Sequence, residues 1–427
     1  MLSINKVITE ESRRYTPYVI RFDKFKSDSV VPFRVSPKPL HIRRTSSVRK
    51  GDENVIHLGP AICEFFHVTV ELYNTDERVK ELLDQGKPEC YKGQIKPEYL
   101  FLRPDLILTE EGFFVCEIET SPFGMGLAEM LNRSYCDCGF DTIVARDKFQ
   151  SYMEASLPEN GIVAYSNKCS PNAGQLQYLA DQILSGPGRQ WSAEKIDENF
   201  SSEAKSIYRA FYLSEIFSDK NVQKVVSGDN HFLPSLTPQF EEKAILTLIW
   251  DKRFEEYYKT QLGSATFNFL REILPPAWLV GKEEYFSPGL PGGISSTSAI
   301  STLGQSKRKW VLKQSGFGEH SSWGEGVTFL HRATRPVLEA KLQEACTSKD
   351  VLYICQEFRD GVKRKTQYYA DAGNEEILEM DARVRLIMYY SNAGKSTGEI
   401  IAAMATCCDD GIYVHGKTTS VQTAVVI

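Results

Sequence analysis

The sequence predicts a mixed α/β (α+β) fold, on three observations. Arg103-Pro104-Asp105-Leu106-Ile107-Leu108 and Phe113-Phe114-Val115-Cys116-Glu117-Ile118-Glu119 read as two adjacent strands that turn near Gly112. Residues 160–280 read as strand and helix and become strongly helical, with apolar side chains at three- and four-residue spacing over 204–217, 240–250 and 265–274. A loop rich in Gly, Ser and Pro at 287–304 then gives way to a β-rich block.

Taken in order, residues 1–95 are mixed and show no recognisable chemistry; a basic, Pro-containing stretch at 37–50 reads as a loop or strap. The acid-tipped strands come next. Residues two apart on a strand face the same way, so Glu117 and Glu119 converge while Asp105 approaches from the neighbouring strand. Three carboxylates in one volume repel unless a cation neutralises them, and a hard divalent ion such as Mg2+, held alongside substrate phosphates, is the usual answer. A solvated hairpin with surface acids is the competing reading. A helix over 125–138 and a strand over 142–145 follow, and Pro275-Pro276 ends the last helical run.

In the β-rich block, a strand over 310–313 ends in Lys313 and runs into a loop with Gly316, Gly318, Gly324 and Gly326. Glycines let backbone N–H groups approach phosphate oxygens, and a strand-borne lysine adds a point charge, so the stretch reads as a phosphate-covering flap or as a plain connecting loop. A helix near 337–345 leads to a strand over 352–358. It is apolar until Gln356, Glu357 and Phe358, as suits an adenine-reading hinge or a core strand with a polar end.

Asp381, Arg383 and Arg385 alternate along one strand face, where two guanidiniums suit a phosphate or carboxylate, or where cross-strand ion pairs form on a solvated face. The final hairpin pairs 383–390 with 399–406. Ala393-Gly394-Lys395-Ser396 looks like the end of a P-loop, but Tyr389 stands at the earlier glycine position and the motif lies between strands, so a hairpin turn is expected. Lys363-Arg364-Lys365 reads as a solvated turn or a contact for nucleotide phosphates or an acidic substrate, and His415-Gly416 as a surface turn or a lining of the site.

Composition narrows the function classes. With 427 residues the chain is long enough for two or three domains with substantial cores. A net charge of -6 argues against nucleic-acid binding through a broad basic surface. The N-terminus carries charges where a secretory signal needs an apolar core, and no apolar run reaches membrane-spanning length, so a soluble, cytoplasmic protein is expected. Ten cysteines in a chain of this length do not imply a disulfide framework, and Cys136-Asp137-Cys138 and Cys407-Cys408 lack zinc-site spacing. No internal repeat is evident.

Together these segments resemble the ATP-grasp superfamily of carboxylate-activating ligases. Glu117-Ile-Glu119-Thr-Ser-Pro is similar to that family's metal-binding E-x-N strand, with Asp105 at the family's upstream spacing. Trp310-Val-Leu-Lys313 and its glycines resemble the phosphate lysine and flap, Gln356-Glu357-Phe358 the adenine hinge, and Asp381-Ala-Arg383 the D-x-R strand. The acidic strands precede the flap here, whereas the usual order is the reverse. The arrangement resembles the circularly permuted, glutathionylspermidine synthase-like groups, and Arg103-Pro-Asp105, Gly124-Met-Gly126-Leu, Asn132-Arg133 and Phe240-Glu-Glu242-Lys243 fit it. Glu119 departs from the family, which has Asn there.

The resemblance implies a circularly permuted ATP-grasp fold with a helical, pre-ATP-grasp-like region and an additional N-terminal segment. It divides the chain into residues 1–95, a metal-binding half at 96–150, a substrate-side region at 151–295 and a nucleotide-binding half at 296–427. It implies ATP and Mg2+ as cofactors, with Asp105, Glu117 and Glu119 on the metal. Lys313, Gly316, Gly318, Gly324, Gly326, Gln356, Glu357 and Phe358 would hold the nucleotide, and Arg383 and Arg385 would stabilise developing charge. The implied reaction joins a small-molecule or peptide carboxylate to an amine through an acyl phosphate, releasing ADP and phosphate. A phosphotransferase and a non-catalytic nucleotide-binding module are the alternatives, and neither substrate identity nor oligomeric state is encoded in a motif.

Overall fold

The computed structural model describes residues 34–35, 40–41, 54–93, 95, 99–109, 112–120, 123–137, 139–201, 206–318, 321, 326–369, 377–392, 397–408 and 420–426. The fold is mixed α/β, with antiparallel and parallel sheets and packed helices. Two short strands, Arg34–Val35 and Leu40–His41, precede helix α1 (Asn54–Thr75) and helix α2 (Glu77–Asp84), which starts where the Asp76 carboxylate accepts the Arg78 backbone N–H. The periodic signal of α1 is weak because its apolar surface is broad, leaving only a narrow exposed stripe with Glu64, Glu71 and Asn74.

Strands β1 (Phe101–Leu108) and β2 (Phe113–Glu119) form the expected hairpin, followed by helix α3 (Met125–Asp137) and helix α4 (Lys148–Ser156). No strand forms over 142–145; Thr142 makes only a single bridge to Val426. Strands β3 (Asn160–Tyr165), β4 (Gln190–Lys195), β5 (Ser206–Ala210) and β6 (His231–Leu233) build a parallel sheet in the order β4-β3-β5-β6. The helix expected over 204–217 is therefore strand β5 and a 3-10 turn at Leu213–Phe217. Its run of Ile207, Tyr208, Ala210 and Phe211 is buried on both sides of the sheet, and a short continuous apolar run does not separate buried strand from buried helix. The 240–250 stretch holds a 3-10 turn, Pro238–Glu241, and a single helical turn, Ile245–Leu248.

The last helical run extends further back than its apolar spacing showed, as helix α5 (Glu255–Ile273). It packs on α1, where Thr69 and Tyr258 share a hydroxyl hydrogen bond of 2.9 Å. Strands β7 (Ala277–Leu279), β8 (Trp310–Gln314), β9 (Val327–Phe329) and β10 (Tyr353–Glu357) make an antiparallel sheet in the order β9-β8-β10-β7, with helix α6 (Arg335–Thr347) between β9 and β10.

Strands β11 (Lys363–Tyr369), β12 (Ile377–Ser391), β13 (Ile400–Cys408) and β14 (Val421–Thr423) join β1 and β2 in one sheet. The 15-residue β12 is its spine: its first half pairs with β11, its second half with β1. Alternate β12 side chains enter different cores. Leu386, Met388 and Tyr390 pack with α1 and α5, whereas Ile387 and Tyr389 pack with α3. The candidate turn at 393–396 and His415 lie outside the described residues. No helix among the described residues is long and apolar enough to cross a membrane.

Candidate functional site

The site is built on the β1–β2 hairpin. Cα pairing sets Asp105 opposite Glu117 and Arg103 opposite Glu119, so all four side chains lie on one face. The register shifts after Asp105, leaving Cys116 as an extra residue in β2. Arg385 on β12 pairs opposite Ile107 of β1 and so joins the same face.

Cations from three other places close on these acids. Arg103 reaches Asp105 at 3.1 Å and Glu119 at 2.5 Å, and Arg385 reaches the other oxygen of Asp105 at 3.0 Å. Lys243 pairs with Glu117 at 2.7 Å and donates to the Ser321 carbonyl at 3.0 Å. Lys313 donates to the Cys116 carbonyl and to the Gln356 side-chain oxygen, each at 2.7 Å. Four cationic side chains thus face three carboxylates. The expected mutual repulsion of the acids is relieved by the protein's own guanidinium and ammonium groups.

Electrostatics separates the acids. Burial by itself raises Glu117, but the charges of Lys243 and Lys313 outweigh it and hold the carboxyl well below its usual range. Burial raises Glu119, and the neighbouring Glu117 and Asp105 charges add to the rise against the pull of Arg103. Burial lowers Lys313. On acidification Glu119 therefore takes up a proton before Glu117 does.

The three expected metal ligands are not equivalent. Asp105 is fully buried with each oxygen held by a guanidinium, whereas Glu117 and Glu119 keep 23% and 28% of their side chains exposed. Among the described residues no group of three or more His, Cys, Asp or Glu side chains is arranged to hold a metal ion. Two outward carboxylates beside substrate phosphates still suit Mg2+, which commonly takes one or two protein carboxylates. The residues present therefore fit the ion through Glu117 and Glu119, with Asp105 as a buried counter-ion.

The expected nucleotide residues divide similarly. Gln356 is buried beside Lys313, with its amide nitrogen unpartnered. Glu357 pairs with Arg359 at 3.0 Å, and the Phe358 ring stacks on His331 at 4.4 Å. The Gly316 N–H is taken by the Glu242 carboxylate at 3.1 Å, and a Cβ on Gly316 would lie 1.6 Å from the Glu241 carbonyl. This glycine therefore serves a close backbone approach, and its N–H has a protein acceptor. Gly318 turns back on Ser315, and the Gly326 carbonyl accepts the Gln314 N–H at 2.9 Å. Gly324 lies outside the described residues. Arg383 stands at the rim, bound by the exposed Asp360 through two contacts of 3.0 and 3.3 Å, while Arg385 is inside the cluster.

Arg103 and Lys243 were not among the residues expected to act here. Arg103 had a legible signal, since it lies two residues before Asp105 and shares its face. Lys243 had one in the segment Phe240-Glu-Glu242-Lys243 noted above, but its partner Glu117, more than a hundred residues away in the chain, was not legible.

This arrangement sits in a fold that has been seen before. A solved structure of a glutathione synthetase like-effector from Globodera pallida, in apoform, matches with a TM-score of 0.51 at 13% sequence identity, over 99% of this chain and 97% of that one. The fold is similar to that of this glutathione synthetase-like protein. A structure of a putative gamma-glutamylcysteine synthetase from Methylobacillus flagellatus KT aligns with a TM-score of 0.41 and 10% identity, over 83% of each chain. No protein-family model and no curated protein matches the sequence.

Proposed function

We propose that the chain is an ATP- and Mg2+-dependent ligase of circularly permuted ATP-grasp type, which activates a carboxylate and couples it to an amine, with ADP and phosphate as products. The observation that carries this reading is the meeting of Lys313 and Lys243 on β2, at Cys116 and Glu117, across about two hundred and more than a hundred residues of chain respectively. An acidic hairpin and a lysine-bearing strand closing on one volume is what the grip on a triphosphate requires.

In this reading Lys313 and Lys243 neutralise phosphate oxygens, and Gln356 at the end of β10 fixes the Lys313 ammonium. Glu117 and Glu119 hold the magnesium, which supplies charge neutralisation at the phosphates. Arg385, steadied by Asp105, offers a guanidinium to negative charge that develops on the acyl oxygen. Arg383 at the rim orients the incoming substrate carboxylate. Phosphoryl transfer asks little covalent chemistry of the protein beyond this alignment.

The test is ADP release with pooled carboxylates and amines, repeated for Lys313→Met and Glu117→Gln with folding checked by circular dichroism. Substrate-dependent ADP release that both variants lose supports the reading; AMP and pyrophosphate as products refute it.

One observation favours a second reading, a non-catalytic nucleotide-binding module. The acids are already neutralised by Arg103, Arg385 and Lys243, so the cluster is satisfied without a metal. Calorimetric binding of ATP that is unchanged when Mg2+ is chelated, with no turnover on any pool, would select it.

A further inference from the structure

A cleft of about 530 Å3 opens at one end of the antiparallel sheet, lined by Gln305, Ser306, Lys309 and His331. Lys309 immediately precedes β8, His331 follows β9 by two residues, and Phe358 follows β10 by one, so the pairing of these strands brings all three to the same edge. Lys309 and Lys313 are four residues apart along one strand, roughly 13 Å at the rise of an extended chain. The cleft is thus separate from the carboxylate cluster.

Its lining has polar capacity that the protein leaves unused. The Nδ1 atom of His331 is shut inside the wall, so the side chains that open on the cleft with polar groups are those of Gln305, Ser306 and Lys309. Among the described residues no hydrogen bond or ion pair engages the side chains of Gln305, Ser306 or Lys309. The wall behind the imidazole is rigid, because His331 stacks on Phe358 at 4.4 Å and Phe358 meets the edge of Phe329 at 5.6 Å. The Phe358 N–H fastens this wall to the Lys309 carbonyl at 3.0 Å.

Charge points to the sign of the occupant. No Asp or Glu occurs between Glu284 and Glu319, while Lys307 and Lys309 fall in that span, and Arg332 adjoins His331. Asp360, two residues beyond Phe358, is engaged by Arg383. An ammonium, an amide and a hydroxyl around one opening form a donor set for oxyanions.

We propose that this cleft is a second ligand site, distinct from the carboxylate cluster, for a small molecule carrying a phosphate or carboxylate group. The site stands on its own geometry and holds whether or not the chain turns over ATP.

The test is calorimetric titration of the full chain with inorganic phosphate and, separately, with succinate, at ionic strength held constant with KCl. Saturable one-site binding of phosphate alone identifies phosphorylated ligands, of succinate alone carboxylates, and of both the shared oxyanion chemistry. In each case Lys309→Gln, an exposed position, is expected to weaken binding about tenfold. Lys313→Met should leave it unchanged. The proposal is overturned if neither probe saturates, if Lys309→Gln binds as the parent does, or if Lys313→Met abolishes binding and so moves the anion to the carboxylate cluster.

Discussion

Lys87 and Glu242 form an ion pair of 2.6 Å with both side chains shut away from solvent. The second oxygen of Glu242 accepts the Ser315 hydroxyl and the Gly316 N–H, so the segment after α2 anchors the loop that follows Lys313. The N-terminal region, in which the sequence shows no chemistry, is thereby part of the framework of the site.

Removing one partner of that pair strands a charge in a dry environment. Lys87→Met is expected to lower stability by about 3–5 kcal/mol. Chemical denaturation monitored by tryptophan fluorescence gives the value. The Lys87→Met/Glu242→Leu double variant should recover much of the loss, because no uncompensated charge remains.

The two glycines after Lys313 should differ in their tolerance of a methyl group. At Gly316 a Cβ meets the Glu241 backbone, which cannot move aside, so Gly316→Ala is expected to cost about 1–3 kcal/mol. At Gly318 the obstacle is the Gln314 side-chain amide at 2.2 Å, which has freedom to rotate away. Thermal unfolding of the two variants should rank Gly316→Ala clearly lower; equal melting temperatures would contradict the packing described.

Arg385 and Arg383 are two residues apart yet should behave differently. Arg385→Met leaves the fully buried Asp105 with a single guanidinium, and a loss of about 3 kcal/mol is expected. Arg383→Met releases only Asp360, which is 63% exposed, so the change should stay within about 1 kcal/mol. Urea midpoints of the two variants decide this.

Glu129 on α3 makes stability depend on pH. Burial pushes its carboxyl up to about 7, against the pull of Arg133 at 2.8 Å. The folded value lies above the unfolded one, so the stability this group contributes is complete below about pH 4.5 and is lost as pH rises through about 7. The loss amounts to about 3 kcal/mol. Unfolding free energies measured across that window should fall for the parent and fall less for Glu129→Gln. Parallel profiles would show that Glu129 is charged at no such cost.

Much of the architecture is legible in local pattern. Short apolar runs around a turn mark β1 and β2, alternation with period two marks β12 from Glu379 to Arg385, and the place of Lys313 at the end of a short strand follows from Trp310-Val-Leu ahead of a glycine loop. The shared face of Asp105, Glu117 and Glu119 needs only that alternation and a tight turn. Pattern fails where burial is nearly complete: α1 leaves only a narrow stripe with Glu64 and Glu71 exposed, and β5 is buried from Ile207 to Ala210 with Arg209 among its side chains, so neither carries a clear period.

What the chain alone determines, then, is which side chains share a strand face, because strand geometry is local. Which cation meets which acid is settled only when distant segments pack. Lys243 on Glu117 and Arg385 on Asp105 depend on sheet order and on the packing that brings position 243 beside position 117. Ion pairing is short-ranged and its strength depends on burial, and both are properties of the assembled core.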